Sequence, residues 1–265
     1  MSVLTGDLGS QVQERRSVSG FTCVELDGVG HVHVVQGDED SLTVEAPGRL
    51  IEWVETRVEG RTLRLSLRDG LHLRNVGKVR VRYEIVMREI DEFDIDGAGS
   101  IVTEPIRSRD LSLGIDGAGR ISIPEVTADS MTLRIDGAGK IEVGRSEVPR
   151  HRIEIDGAGK IALEDAKGDE LVADLDGTGS IAAFGKIRHL RIGLNGTGRL
   201  RLEELEVDRA TIRIDGTGKV LVWAKESLDV RINGFGKVRF RGQPKVTAKT
   251  GGFGRITRIE DDETP

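Results

Sequence analysis

Leu133-Arg-Ile-Asp-Gly-Ala-Gly-Lys-Ile-Glu-Val143 decides the fold. Leu133 and Ile135 alternate with Arg134 and Asp136, and Ile141 and Val143 alternate with Lys140 and Glu142. Period-two alternation marks half-buried strands. The Gly-Ala-Gly between them supplies a corner where positive φ is tolerated.

The phrase at that corner recurs along the chain. Asp-Gly-Ala-Gly plus a polar residue stands at Asp96–Ser100, Asp116–Arg120, Asp136–Lys140 and Asp156–Lys160. Thr replaces Ala in Asp176–Ser180, Asn195–Arg199 and Asp215–Lys219, and Phe does so in Asn233–Lys237 and Gly251–Arg255. The first glycines fall at 97, 117, 137, 157, 177, 196, 216, 234 and 252, so each unit is 18 to 20 residues long. A fixed period in this range means a repeat whose units bury their apolar faces by stacking.

Two apolar columns run from unit to unit. Before the corner stand Ile95, Ile115, Ile135, Ile155, Leu175, Leu194, Ile214 and Ile232; after it stand Ile101, Ile121, Ile141, Ile161, Ile181, Leu200, Val220, Val238 and Ile256. Near-identical units favour parallel, in-register stacking at about 4.8 Å. The β-branched columns and paired glycines exclude a helical repeat. The expected fold is all-β: a parallel β-solenoid of about 20-residue coils with a degenerate N-terminal β cap. Stacked Asp residues at six corners would repel by about 1 kcal/mol per neighbour in water. The column Arg120, Lys140, Lys160, Arg199, Lys219, Lys237 and Arg255 is expected to offset this from across the corner.

The cap is expected over residues 21–92. Asp27-Gly-Val-Gly30 resembles the corner, and Asn75-Val-Gly77-Lys78-Val79 resembles its second half. Trp53 and Tyr83 would fill a broader core there, since terminal units of a solenoid must differ from internal ones. Residues 1–20 are expected to be a flexible segment, 93–257 the regular coils and 258–265 an acidic tail.

The chain has 265 residues, 39 Lys and Arg, 45 Asp and Glu, and a net charge of −6. That charge reads as spread along the length without a basic face, which argues against nucleic acid as a partner. Cys23 is the single cysteine, so no internal disulfide forms. Residues 1–20 contain no apolar signal-peptide core, and no run reaches transmembrane length. The expectation is therefore no membrane insertion, and a cytoplasmic location if this N-terminus is native.

Several segments in order resemble the bacterial head GIN domain family, named for auto-transporter adhesins. They are Ser19-Gly20-Phe21, Gln36-Gly37-Asp38-Glu39, Gly60-Arg61-Thr62-Leu63, the repeats from Asp96 onward, Glu226-Ser227-Leu228-Asp229 and Gly242-Gln243-Pro244-Lys245-Val246. The resemblance spans about residues 17–258. It implies a β-solenoid at the cell envelope or outside the cell, and it brings no catalytic residues. The Gly-Ile-Asn triplet that names the domain is replaced by Gly28-Val29-Gly30.

Chemistry has few footholds. Glycine loops cradle phosphate only when a helix N-terminus follows, and no helix-length segment follows these. Calcium can sit between coils of Asp-bearing β-rolls, which makes Asp116, Asp136 and Asp156 the weak metal candidates. Each corner offers one carboxylate, so no metal and no cofactor are expected. His31 and His33 share a strand face without a third ligand, and Cys23 lacks a base and reads as a core residue. Coils of constant length leave no room for a cleft walled by loops, and the nine aromatic residues give few sugar-stacking platforms. No enzyme is expected.

The leading functional expectation is a non-enzymatic structural or adhesin-like module associated with the cell envelope. The alternatives are a self-associating cytoplasmic scaffold and, lower, a glycan-processing β-helix enzyme. A second copy, a surface glycan or a protein are the candidate partners. Phe235 and Phe253 should stack in consecutive coils. They are expected to help shield the solenoid end, the alternative being an outward interaction patch.

Overall fold

The computed structural model describes residues 2–69, 71–74 and 80–259. The corner-like Asn75–Val79 and the acidic run from residue 260 lie outside the described residues. The chain is a parallel β-solenoid. Ala98 pairs with Ala118, Ala138 and Ala158 in turn, then Thr178, Thr197, Thr217 and Phe235. Every residue of both predicted columns is buried, except Ile256 in the last coil, which is half-buried.

Why the corner takes glycine differs from expectation. Among the described residues the positive-φ glycines are Gly6, Gly9, Gly20, Gly60, Gly185 and Gly242, and none of them is a corner glycine. The corner is tight because the backbone ladder continues through it. Asp136 N and Gly137 N both donate to Ile115 O, and Ala138 N donates to Gly117 O at 2.8 Å. A Cβ on Gly137 would fall 2.1 Å from Gly117 O and 2.2 Å from Asp116 O. Each first glycine is thus required by the close approach of the coil beneath.

Length changes are absorbed away from the corner. The 19-residue unit loses a residue between Leu163 and Ala166 of the preceding coil, beside Gly185 at φ +116. The shortening to 18 residues falls between Leu202 and Arg209. These shifts let the corner columns stay in register.

The cap extends the solenoid and then closes it. Val29–Gln36 lies parallel to Ala98–Thr103 with Gly30 against Gly99, so the corner-like reading of residues 27–30 holds. Cys23–Leu26 lies parallel to Glu92–Ile95, and one further level is formed by Thr62–Leu67 and Arg82–Met87. Antiparallel strands then cover the end: Ser41–Pro47 on Arg82–Met87, Gln11–Arg16 on Ser41–Pro47, and Val54–Glu59 on Thr62–Leu67. Residues 1–20 were expected to be flexible, yet Gln11–Arg16 and Ser2–Thr5 are strands. Gln11–Arg16 pairs as cover over the capped end, and Ser2–Thr5 pairs with Leu71–Arg74 in a separate two-stranded sheet, so neither carries the repeat. Tyr83, Phe21 and Phe93 are fully buried, Trp53 packs half-buried against the core, and a short helix, Gly48–Ile51, buries Leu50 and Ile51. A single apolar core runs from Leu4 to Phe240, so cap and coils are continuous.

Candidate functional site

The corner charges pair within their own strand ladders and not across the corner. Arg134, two residues before Asp136, reaches Asp136 at 3.1 Å and Asp116 at 3.5 Å, and Arg213 does the same for Asp215. On the other side Lys140 and Arg120 both reach Glu142. Asn195 and Asn233 each donate their amide to the Asp one coil below, Asp176 and Asp215, at 2.6 Å. Replacing Asp by Asn there exchanges a like-charge contact for a hydrogen bond. Exposed pairs of this kind stabilise by only about 0 to 1 kcal/mol each.

Of the three calcium candidates, the structure brings only Asp116 into a group. Asp94, Asp96 and Asp116 each place one oxygen within 4.8 Å of the others, and Asp136 and Asp156 stand outside this cluster. Among the described residues it is the one such set of metal-ligand type. Three carboxylates fall short of the six to eight oxygens, roughly, that calcium takes. Asp94 escaped sequence analysis, although a signal was present: the next coil carries Gly114 at the equivalent position. A Cβ there would lie 2.4 Å from Asp94 Oδ1, so the glycine makes room for the carboxylate. Asp174 and Gly193 repeat the arrangement.

Burial pushes the Asp94 carboxyl up to about 6, with Asp116, Asp96 and Glu92 adding to the shift and Arg134 opposing it. The folded state then holds this proton more tightly than the unfolded chain does. Its contribution to stability therefore falls as pH rises from about 4 to about 6, and stays low above that. Asp94→Asn should melt higher than the parent at pH 7.5, and the gap should close near pH 4. Melting curves in chelator check this; an equal gap at both pH values would refute it.

The remaining candidates are held separately. His31 Nδ1 meets Ser100 Oγ at 2.8 Å, whereas His33 lies between Glu84, 2.8 Å away, and Glu104, 3.4 Å away. The hydrogen bond to Glu84 raises the His33 pKa, and Glu104 adds to it against the effect of burial. Cys23 is buried between Thr62 and Glu92 in the ladder, with the Thr22 hydroxyl 3.7 Å from its sulfur. One polar pair was missed entirely. Ser146 and His151 are buried in otherwise apolar columns, Ser146 Oγ lying 3.0 Å from His151 Nε2.

The last coils overturn two expectations. Phe235 and Phe253 do stack, with centroids 5.2 Å apart and planes 9° from parallel. They do not shield the end, because they are 62% and 80% exposed and point away from the core. Nor is charge evenly spread. Residues 230–259 carry eight Lys and Arg and no Asp or Glu, whereas residues 1–229 carry 41 acidic against 31 basic residues. The net charge of −6 conceals this division.

The comparisons fit this architecture. The family model described as "Putative auto-transporter adhesin, head GIN domain" matches residues 20–167 and again 143–244. Among solved structures, a "putative adhesin" from Parabacteroides distasonis ATCC 8503 aligns with TM-score 0.72 at 18% identity, covering 97% of this chain and 100% of that one. A "putative adhesin" from Parabacteroides merdae ATCC 43184 gives 0.70 at 16%, and a "Putative lipid binding protein" from Parabacteroides distasonis ATCC 8503 gives 0.70 at 20%; each covers 98% of this chain and 100% of its own. At these identities the likeness concerns the fold alone. No curated protein matches the sequence.

Proposed function

Because the chain belongs to the head GIN domain family, we propose that it is a rigid, non-catalytic module displayed at the cell envelope, where it acts as an adhesin-like surface. The observation that carries this is the unbroken in-register ladder from Val29 to Phe235. It sets outward columns of Asp, Arg and Lys on a rod of about ten levels and roughly 50 Å. Its coils present extended faces, and repeat proteins of this kind bind through such surfaces.

Antibody labelling of intact producing cells, before and after protease shaving, tests the placement. Labelling that disappears on shaving is expected; labelling seen only after lysis would overturn it. Self-association is the second reading, favoured by one observation. Among the described residues, Lys245–Thr250 and Arg255–Arg258 each pair with a neighbouring strand on one side only. Lys and Arg on that edge oppose it, as charges on edge strands generally do. Sedimentation of the full chain distinguishes a monomer from a stacked assembly.

A further inference from the structure

We propose that the C-terminal corner of the solenoid, built on Phe235 and Phe253, docks onto an anionic lipid surface. The inference starts from how the repeat changes along the chain. The middle residue of the corner is Ala in four coils, Thr in three and Phe in the last two. The acidic residue of the corner, replaced once before by Asn195, is absent from both of these coils, which carry Asn233 and Gly251. The cation of the corner persists as Lys237 and Arg255. Apolar bulk therefore arrives as the balancing carboxylate leaves.

Position makes the change consequential. Phe235 and Lys237 lie two apart on the strand Phe235–Arg241 and both are exposed; one coil on, Phe253 in the bend and Arg255 at the start of the strand Arg255–Arg258 are exposed too. Each exposed ring thus has a cation on its own face. Residues 230–259 carry no carboxylate, and Asp215 at the corner of the coil below is held by Arg213 and Asn233. An aromatic pair flanked by Lys and Arg matches the boundary between acyl chains and anionic headgroups, where rings enter and cations stay at the charged layer.

Sugars and unpaired bases would need free ring faces on which to stack. Here the two rings lie nearly parallel at 5.2 Å and occupy each other's facing sides. The edges and apolar bulk of the pair remain exposed, the outer side of Phe253 included, and with Lys237 and Arg255 close by they suit insertion at a charged interface. This inference does not depend on the adhesin-like reading. A surface module could lack the lipid contact, and a lipid-docking tip could belong to a protein that displays nothing.

Co-sedimentation of the full chain, its acidic C-terminal residues included, with phosphatidylcholine vesicles tests the proposal. One set carries about 30% phosphatidylserine and the other none, at about 0.15 M salt. Binding to the anionic set alone is expected, with release at about 0.5 M salt. Phe235→Thr with Phe253→Thr, which restores the residue found in earlier coils, should reduce partitioning about tenfold. Lys237→Glu with Arg255→Glu should reduce it about tenfold or more. All four positions are exposed, so melting points should stay near that of the parent. Failure to bind anionic vesicles would overturn the proposal, as would full binding by the double Thr variant. Binding of an acidic polysaccharide or a single-stranded oligonucleotide in preference to vesicles would also overturn it.

Discussion

Gly137→Ala is expected to lower the melting midpoint by about 10 °C, reflecting a cost on the order of 4 kcal/mol. The new methyl would stand 2.1 Å from Gly117 O and 2.2 Å from Asp116 O, and neither is the end of a flexible side chain. Relief requires the coils to separate, which breaks the bonds from Asp136, Gly137 and Ala138 to the coil below. Each such bond contributes about 1 kcal/mol net, and the exposed partners add to the loss. Gly139→Ala provides the comparison. Its methyl would meet the Ile115 Cδ1 and Cγ2 atoms at 2.8 and 2.9 Å, side-chain atoms that can yield by local repacking of the core, with Gly119 O at 3.0 Å. A cost of about 1 to 2 kcal/mol is expected there. Thermal melts of both variants decide the matter; equal losses would show that conformational freedom, and not stacking distance, selects the first glycine.

The second large effect concerns acid. His151 stands in the ladder between Met131 and Leu171 and is 2% exposed. Burial lowers its pKa to about 4 from an ordinary 6.5. The folded state therefore carries it neutral, and the unfolded chain takes up the proton first as pH falls. Stability from this group is complete above about pH 6.5 and drains away toward pH 4, by about 3 kcal/mol in all. Asp94 works in the opposite sense over a similar range, so the variant must be compared with the parent at each pH. His151→Leu with Ser146→Ala removes both members of the buried pair and leaves no orphan hydroxyl. The double variant should match or exceed the parent at pH 7.5 and gain several degrees more by pH 5. Parallel melting profiles from pH 7.5 to 4.5 would show that the imidazole does not set the acid response.

The columns of the solenoid were legible because Ile115, Ile135 and Ile155 recur at a spacing only a stacked repeat explains. The reason for the glycines was not, since φ tolerance and close approach select the same residue. Neighbouring backbone atoms separate the two explanations. His151 departs once from an apolar column and Asp94 stands in a column of mixed charge, so each has meaning only beside its partner in the next coil. Gly114 and Met131 are those partners, and register brings them alongside. The basic end was hidden by averaging: the acidic excess of residues 1–229 outweighs the eight cations of residues 230–259. The growth from Ala98 to Phe253 was visible in the sequence, but only coordinates showed that the rings face outward.

The hydrogen bonds between coils run along the long axis, and that has a mechanical meaning. A pull between the two ends loads the interfaces in series, so every one carries the same tension and the weakest determines where the rod parts. Fifteen residue pairs join Ala158–Leu175 to Thr178–Leu194. The final coil is held by six pairs through Lys245–Thr250 and four through Arg255–Arg258. Tension transmitted through the tip that carries the exposed rings would peel that coil first, leaving the longer interfaces behind it intact.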